Sequence, residues 1–258
     1  MTDLKNKSIF ITGASSGIGK SAAMKFAGLG ANILICARRL DRLTELKRQL
    51  SLQFKVNIHA FELDVRNQKN VEQTLNALSS DWKNISVLVN NAGLSRGLDT
   101  IQEGNISDWD EMIDTNVKGL LYVSRVVIPW MIQRSEGHII NIGSVAGHSV
   151  YPKGNVYNAS KYAVNALSQG MKMDLLGTSL RVTSVDPGLV ETEFSVVRFH
   201  GDEEKASAVY KGMTPLTPDD VADAIIWAAT RPAHVNINEI ILMPTEQSSP
   251  TMVHRKSN

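Results

Sequence analysis

The chain has 258 residues, 43% of them hydrophobic, and its 27 basic and 26 acidic side chains leave a formal net charge of +1. That balance gives no footprint for nucleic acid or for an anionic membrane surface, and the length suits a single α/β domain, residues 1–258, with a large core. The single cysteine, Cys36 in the apolar run NILICA, excludes an internal disulfide and a cysteine-rich metal site and fits a reducing compartment.

The N-terminus, MTDLKNKSIFITG, lacks the long apolar region of a signal peptide and moves directly into a strand-like run. Further apolar, Ile- and Val-rich runs follow at 32–37, 56–63, 85–90, 138–142, 181–185 and 238–243 after the first at 8–12. Between them lie helix-length segments near 18–29, 40–53, 67–79, 108–134, 156–177 and 217–230. Such alternation predicts a parallel sheet with right-handed crossovers, its strands covered on both faces. The most apolar stretch, GLLYVSRVVIPWMI, is broken by Arg125 and Pro129 and is too short to span a bilayer. A cytoplasmic protein is expected. The segment 191–216 is polar, breaks the rhythm and reads as a substrate lid, followed later by a tail over 244–258.

Thr12-Gly13-Ala14-Ser15-Ser16-Gly17-Ile18-Gly19 ends the first strand and opens the first helix. Glycines allow the tight turn and the close approach of a pyrophosphate, and the helix start offers free N–H groups to the anion. The second strand ends Ala37-Arg38-Arg39. An NAD-binding fold would place an acid there for the ribose 2′-hydroxyl. Two guanidinium groups suit the 2′-phosphate of NADP instead, with Arg38 leading, aided by Arg39 and by Ser15 or Ser16. Asp64-Val65, at the end of the third strand, either meets the adenine or, through Asp64, caps the next helix. Asn90-Asn91-Ala92-Gly93 lets the backbone lie against the cofactor, with amides bracing neighbouring strand ends.

Asn116 stands inside 108–134 without any helix-propensity reason. Ser144 ends the fifth strand, at the sheet edge where doubly wound folds bind ligands; the alternative is a turn cap. Tyr157 and Lys161 are one helical turn apart and project from one face. An ammonium beside a phenol favours the phenolate, which makes a tyrosine a usable acid/base.

These motifs, with Asp186-Pro187-Gly188, occur in an order and spacing that resemble the short-chain dehydrogenase/reductase family over about residues 5–245. The resemblance implies a Rossmann-like, doubly wound sheet of seven parallel strands with helices on both faces. It implies a catalytic tetrad of Asn116, Ser144, Tyr157 and Lys161, with Ser144 and Tyr157 on the substrate oxygen. Lys161 would lower the tyrosine pKa and bind the nicotinamide ribose, and Asn116 would hold a relay water. NADP would contact Gly13, Ser15, Ser16, Gly17, Ile18, Gly19, Arg38, Arg39, Asp64, Val65, Asn91, Tyr157 and Lys161, then Pro187, Gly188, Val190 and Thr192. The family also implies a homotetramer paired through the helices near 108–134 and 156–177.

A narrower likeness, carried by PGLVETEFS, Val197-Arg198-Phe199, Gly201-Asp202 and PAHVNIN, is to NADP-dependent 3-hydroxy acid dehydrogenases. A carboxylate substrate needs a cation, since an unpaired buried carboxylate is costly. Arg198 is the candidate clamp, unless it is exposed and paired with Asp202, Glu203 or Glu204. Arg96 and His148 are the alternatives. Two other functions are compatible with the fold: reduction of bulkier ketones, and cofactor sensing without turnover. No metal site is expected.

Overall fold

The computed structural model describes residues 2–256; of the tail 244–258, Ser257 and Asn258 lie outside the described residues. The apolar runs form strands β1 (Ser8–Thr12), β2 (Asn32–Ala37), β3 (Ile58–Glu62), β4 (Ile85–Asn90), β5 (Gly137–Ile142), β6 (Leu180–Pro187) and β7 (Glu239–Leu242). All neighbours pair in parallel, in the order β3-β2-β1-β4-β5-β6-β7. The chain winds outward from β1 to β3, then crosses back to β4 beside β1. That reversal opens a crevice above the carboxyl ends of β1 and β4, where such sheets bind ligands.

The helices are α1 (Gly17–Gly28), α2 (Leu40–Gln53), α3 (Gln68–Asn76), α4 (Ser80–Lys83), α5 (Ile106–Ile113) and α6 (Leu120–Arg134). They continue with α7 (Asn155–Asp174), α8 (Phe194–Arg198), α9 (Glu203–Ala208) and α10 (Pro218–Ala229). Strands β1, β2 and β4 are covered on both faces, so each carries apolar residues at successive positions rather than at alternate ones. On one face Ile9, Ile33 and Ile35 pack with Phe26, Leu43, Leu46 and Ile225 of α1, α2 and α10. On the other, Phe10, Leu34 and Leu88 pack with Val71, Val123, Val127 and Met131 of α3 and α6. Local chemistry sets the helix starts. Asn67 and Asn105 accept N–H bonds as caps of α3 and α5, and Thr217 and Asp220 form a reciprocal capping box at α10, with Pro218 in the first turn.

Several element boundaries differ from the sequence expectation, and three of them bear on the fold. The segment 108–134 is not one helix: a π-helical stretch, Asp114–Gly119, separates α5 from α6. It lets the Asn116 amide turn inward to the Leu94 backbone, and insertions of this kind recur at functional sites. The apolar run 56–63 yields only Ile58–Glu62, because β3 is an edge strand and pairs solely where β2 offers Ile33–Ala37. The segment 67–79 stops earlier, at Asn76, with the short α4 after it. The region 191–216 contains α8 and α9. Among the described residues no helix is long and apolar enough to cross a membrane.

Candidate active site

The turn after β1 is shaped for an anion. Gly13 and Gly17 take φ of +66° and +54°, backbone that glycine adopts at little cost. A Cβ at Gly13 would lie 2.8 Å from Ala92 Cα, and one at Gly19 would collide with the Asn91 amide. Among the described residues no side chain caps α1, and its first turn holds no acid, so its free N–H groups and positive dipole end face the crevice unopposed. Asn91 stitches the two central strands together, donating from Nδ2 to Thr12 O (2.9 Å) and Gly13 O (3.1 Å). Asn90 does the same for β4 and β5, donating to Asn141 Oδ1 at 2.9 Å.

Arg39 lies along this turn. Its Nη2 donates to Ser15 Oγ (3.0 Å) and Ser16 Oγ (2.9 Å), and its Nη1 to Glu193 (2.8 Å). Arg38 turns toward α5 and donates to Glu111 at 3.0 Å. Arg39, rather than Arg38, gathers the two serines in this structure, while Arg38 pairs with Glu111. A guanidinium, two hydroxyls, bare helix N–H groups and no acid at Ala37 form a donor set that fits a 2′-phosphorylated dinucleotide. Asp64 caps no helix; Asn67 does. Asp64 instead accepts from the Arg66 backbone N–H (3.0 Å) and guanidinium (2.6 Å). Burial opposes its ionisation, but these bonds outweigh it and hold the carboxyl below the usual range. Asp64 and Val65 line the same cavity as the glycine turn.

At the other end of the crevice α7 presents Tyr157 and Lys161, both buried. Lys161 Nζ donates to Ile142 O at 2.9 Å and lies 5.9 Å from the Tyr157 ring centroid. Ser144 both caps a 3₁₀ turn, accepting from Ala146 N–H at 3.1 Å, and lines the cavity, so its two readings coexist. Asn116 is buried: its Nδ2 donates to Leu94 O (2.8 Å) and Ser160 Oγ (3.0 Å), and its Oδ1 accepts from Leu94 N–H (2.8 Å). Its amide donors are spent on bracing α7 against the segment that follows β4.

The proton affinities depart from expectation. Burial pushes the Tyr157 phenol up, the Tyr151 phenol adds to this, and Arg198 and the Ser144 hydroxyl pull it partly back. Burial lowers Lys161 to about 8, against the opposing charge of Asp186. The phenol is raised because desolvation outweighs the pull of Arg198 and Ser144.

Arg198, at the end of α8, closes the site. Its Nε donates to Ser95 Oγ (3.0 Å) and its Nη2 to Tyr151 Oη (2.9 Å). Its guanidinium carbon lies 5.1 Å from the Phe194 ring centroid, a cation-π distance. Among the described residues no carboxylate pairs with it; Asp202 binds Lys205 instead. The two alternative clamps are engaged elsewhere. Arg96 donates to Glu111 (2.7 Å) and to Val197 O (2.7 Å), and His148 lies 2.9 Å from the Asp186 carboxylate, outside the cavity lining. The whole crevice encloses about 650 Å³, the size of a small-molecule pocket.

Residues 7–202 match the short chain dehydrogenase family. The chain belongs to this family. The match and the relatives below make it an NADP-dependent oxidoreductase acting on CH–OH groups. The chain is 47% identical over 249 residues to the NADP-dependent 3-hydroxy acid dehydrogenase YdfG of Salmonella typhi, covering 96% of this chain and 99% of that protein. It is 44% identical over 241 residues to sulfoacetaldehyde reductase 2 of Chromohalobacter salexigens, covering 93% and 95%. Among solved structures it resembles the closed form of serine dehydrogenase complexed with NADP+, with 46% identity, a TM-score of 0.91 and coverage of 96% and 100%.

Most residues that the sequence singled out for the dehydrogenase cofactor and substrate face this one cavity, from Gly13 through Val65 to Thr192 and Arg198. Gly19 and Asn116 stand behind its wall, the first for closeness of backbone and the second as a brace. Sequence reading missed Tyr151, Phe194, Ser95 and Glu111. Tyr151 sits in a turn with no periodic signal, and Ser95 and Glu111 act only through arginines distant in the chain.

Proposed function

We propose that the protein transfers a hydride between C3 of a short 3-hydroxy acid, of the serine, allo-threonine or 3-hydroxyisobutyrate type, and NADP. The observation that carries this reading is Arg198: an arginine held in the cavity by Ser95 and Tyr151, beside Tyr157, with no carboxylate partner among the described residues. A half-buried guanidinium inside the cavity, with no acid partner among the described residues, suits an acid group on the substrate. A planar fork meets a carboxylate bidentately. The name of the sulfoacetaldehyde reductase supports the same reading, since sulfoacetaldehyde also carries an acid group on the carbon next to its carbonyl.

The glycine turn and the start of α1 would hold the pyrophosphate of NADP, Arg39 with Ser15 and Ser16 the 2′-phosphate, Arg38 its outer side, and Asp64 and Val65 the adenine end. NADP, when bound, supplies the acceptor for the hydride that leaves C3. Arg198 fixes the acid group, which leaves the C3 oxygen to Ser144 and Tyr157. Ser144 donates a hydrogen bond to that oxygen. Tyr157 exchanges the proton: it receives it as an alcohol is oxidised and returns it as a carbonyl is reduced. The raised phenol rests protonated, the form that reduction needs. Lys161 is to bind the ribose and, with its charge retained, to ease loss of the phenol proton. Asn116 keeps α7 and the 94–95 segment in register; a relay water would have to use its backbone carbonyl.

Segment 191–216 serves as the lid, within a single catalytic domain working in the cytoplasm. Leu121 and Ile132 of α6 and Tyr162 and Met173 of α7 remain exposed, and they suit burial between subunits of a homotetramer. A monomeric mass by light scattering at micromolar concentration refutes that assembly. The function is tested by following NADP reduction with serine, allo-threonine, 3-hydroxyisobutyrate and a steroid alcohol. Turnover of the acids above the steroid supports the reading; preference for the steroid, or no turnover at all, overturns it.

A further inference from the structure

Glu111, on the last turn of α5, accepts from three arginines: Arg38 (3.0 Å) and Arg66 (3.2 Å) on one oxygen and Arg96 (2.7 Å) on the other. Burial opposes its ionisation, but the bonds from Arg96 and Arg38 outweigh it and keep the carboxyl below the usual range. Glu111 is not itself part of the cavity wall, whereas Arg38 and Arg96 are. Arg38 is half-exposed beside the proposed 2′-phosphate site, and Glu111 is its ion-pair partner among the described residues.

Arg96 leads the other way. Its Nη1 donates to Val197 O at 2.7 Å. The next residue, Gly97, donates its N–H to Arg198 O at 2.9 Å, and the preceding one, Ser95, accepts from Arg198 Nε at 3.0 Å. Three consecutive residues, 95–97, thus fasten the end of lid helix α8 and the guanidinium it carries. Both acceptors are carbonyls at the end of a short helix, where intrahelical donors run out; Val197 O also accepts from His200 N–H at 3.3 Å. Arg96 supplies one here with Nη1 while its Nε is held by Glu111.

We propose that Glu111 couples occupancy of the 2′-phosphate site to closure of the lid that carries Arg198, as a positioning residue. The proposal rests on the reading of Arg38 and Arg39 as the 2′-phosphate site. The sign of the coupling follows from competition. A phosphate that draws Arg38 to itself removes one of the three cations that share the Glu111 carboxylate. The less neutralised carboxylate then binds Arg96 more strongly, and Arg96, better fixed, holds Val197 O. The 2′-phosphate therefore tightens the lid at the acid end, and by reciprocity an acid bound at Arg198 tightens the 2′-phosphate.

The test needs no turnover. Hydrogen exchange of the segments containing 95–97 and 194–201 is followed by mass spectrometry with saturating adenosine 2′,5′-bisphosphate or adenosine 5′-monophosphate, their affinities measured by calorimetry. In the wild type the bisphosphate is expected to slow exchange about fivefold or more beyond the monophosphate, at the lower end of common coupling. In Glu111→Gln the difference between the two ligands should vanish. A bisphosphate that binds tighter yet leaves lid exchange where the monophosphate leaves it overturns the coupling alone, and the wild type suffices for that comparison. Lid protection that persists undiminished in Glu111→Gln overturns the role of Glu111. A bisphosphate that binds no tighter than the monophosphate removes the 2′-phosphate site and this proposal together.

Discussion

The guanidinium carbon of Arg198 lies 5.2 Å from the centroid of the Tyr157 ring. One residue is on α8 and the other on the long helix α7, and the contact sets the guanidinium beside the phenol ring; in the proposed function these are the acid-binding charge and the group that moves the proton. Arg198→Met should therefore raise KM for 3-hydroxy acids about tenfold or more, the worth of a lost charged hydrogen bond. A neutral secondary alcohol should be largely spared. Steady-state kinetics on both substrates decides, because equal losses would assign Arg198 to holding the lid in shape.

Tyr157→Phe keeps the ring against Phe194, 5.6 Å between centroids, and removes only the hydroxyl. The variant should bind NADP as the wild type does and lose about 10²–10⁴-fold in kcat, as expected of a missing general acid/base. Near-normal turnover would rule Tyr157 out of proton transfer.

Cofactor choice should depend more on Arg39 than on Arg38, since Arg39 reaches both serines of the glycine turn. Arg39→Leu is expected to weaken NADP binding about tenfold or more and to leave NAD binding nearly unchanged. Adding Ala37→Asp should carry the preference to NAD. Calorimetric titration with both dinucleotides checks this, and a larger loss from Arg38→Leu would restore the opposite ranking.

Lys161 gives the fold a pH signature. Burial sets its folded-state value at about 8, against about 10.4 in an unfolded chain. Below pH 8 both states carry the proton and the fold bears the full cost of a buried ammonium. Between pH 8 and 10 the unfolded chain binds more protons, so this side chain's contribution to stability rises with pH. Lys161→Met lacks that rise. The stability of the variant minus that of the wild type should fall steadily from pH 8 to 10 in thermal melts. A constant difference over that range would mean that Lys161 does not titrate there.

The seven strand positions, the glycine turn and the one-turn spacing of Tyr157 and Lys161 were all legible in the sequence. Each is a local property. A strand buried on both faces must be apolar at successive positions, a turn that approaches a neighbouring strand must lack side chains, and four residues of helix return to the same face. The cation beside the glycine turn was half legible: two arginines after Ala37 announce it, but that Arg39 reaches Ser15 and Ser16 while Arg38 pairs with Glu111, 73 residues away in the chain, is seen only in the fold.

What only the tertiary structure decided is the fate of charges. Sequence spacing suggested that Lys161 lowers the Tyr157 pKa, yet burial raises it, because desolvation depends on everything packed around a group and not on its neighbour one turn away. Arg198 was equally compatible with an exposed ion pair until the fold brought Ser95 and Tyr151 to it across 103 and 47 residues. The π-helical stretch at Asn116 likewise has its cause in the Leu94 backbone, 22 residues away. Periodicity along a chain reports which face is buried; it does not report what else is buried there, and it is the contents of that shared volume that fix a proton affinity or free an arginine for a ligand.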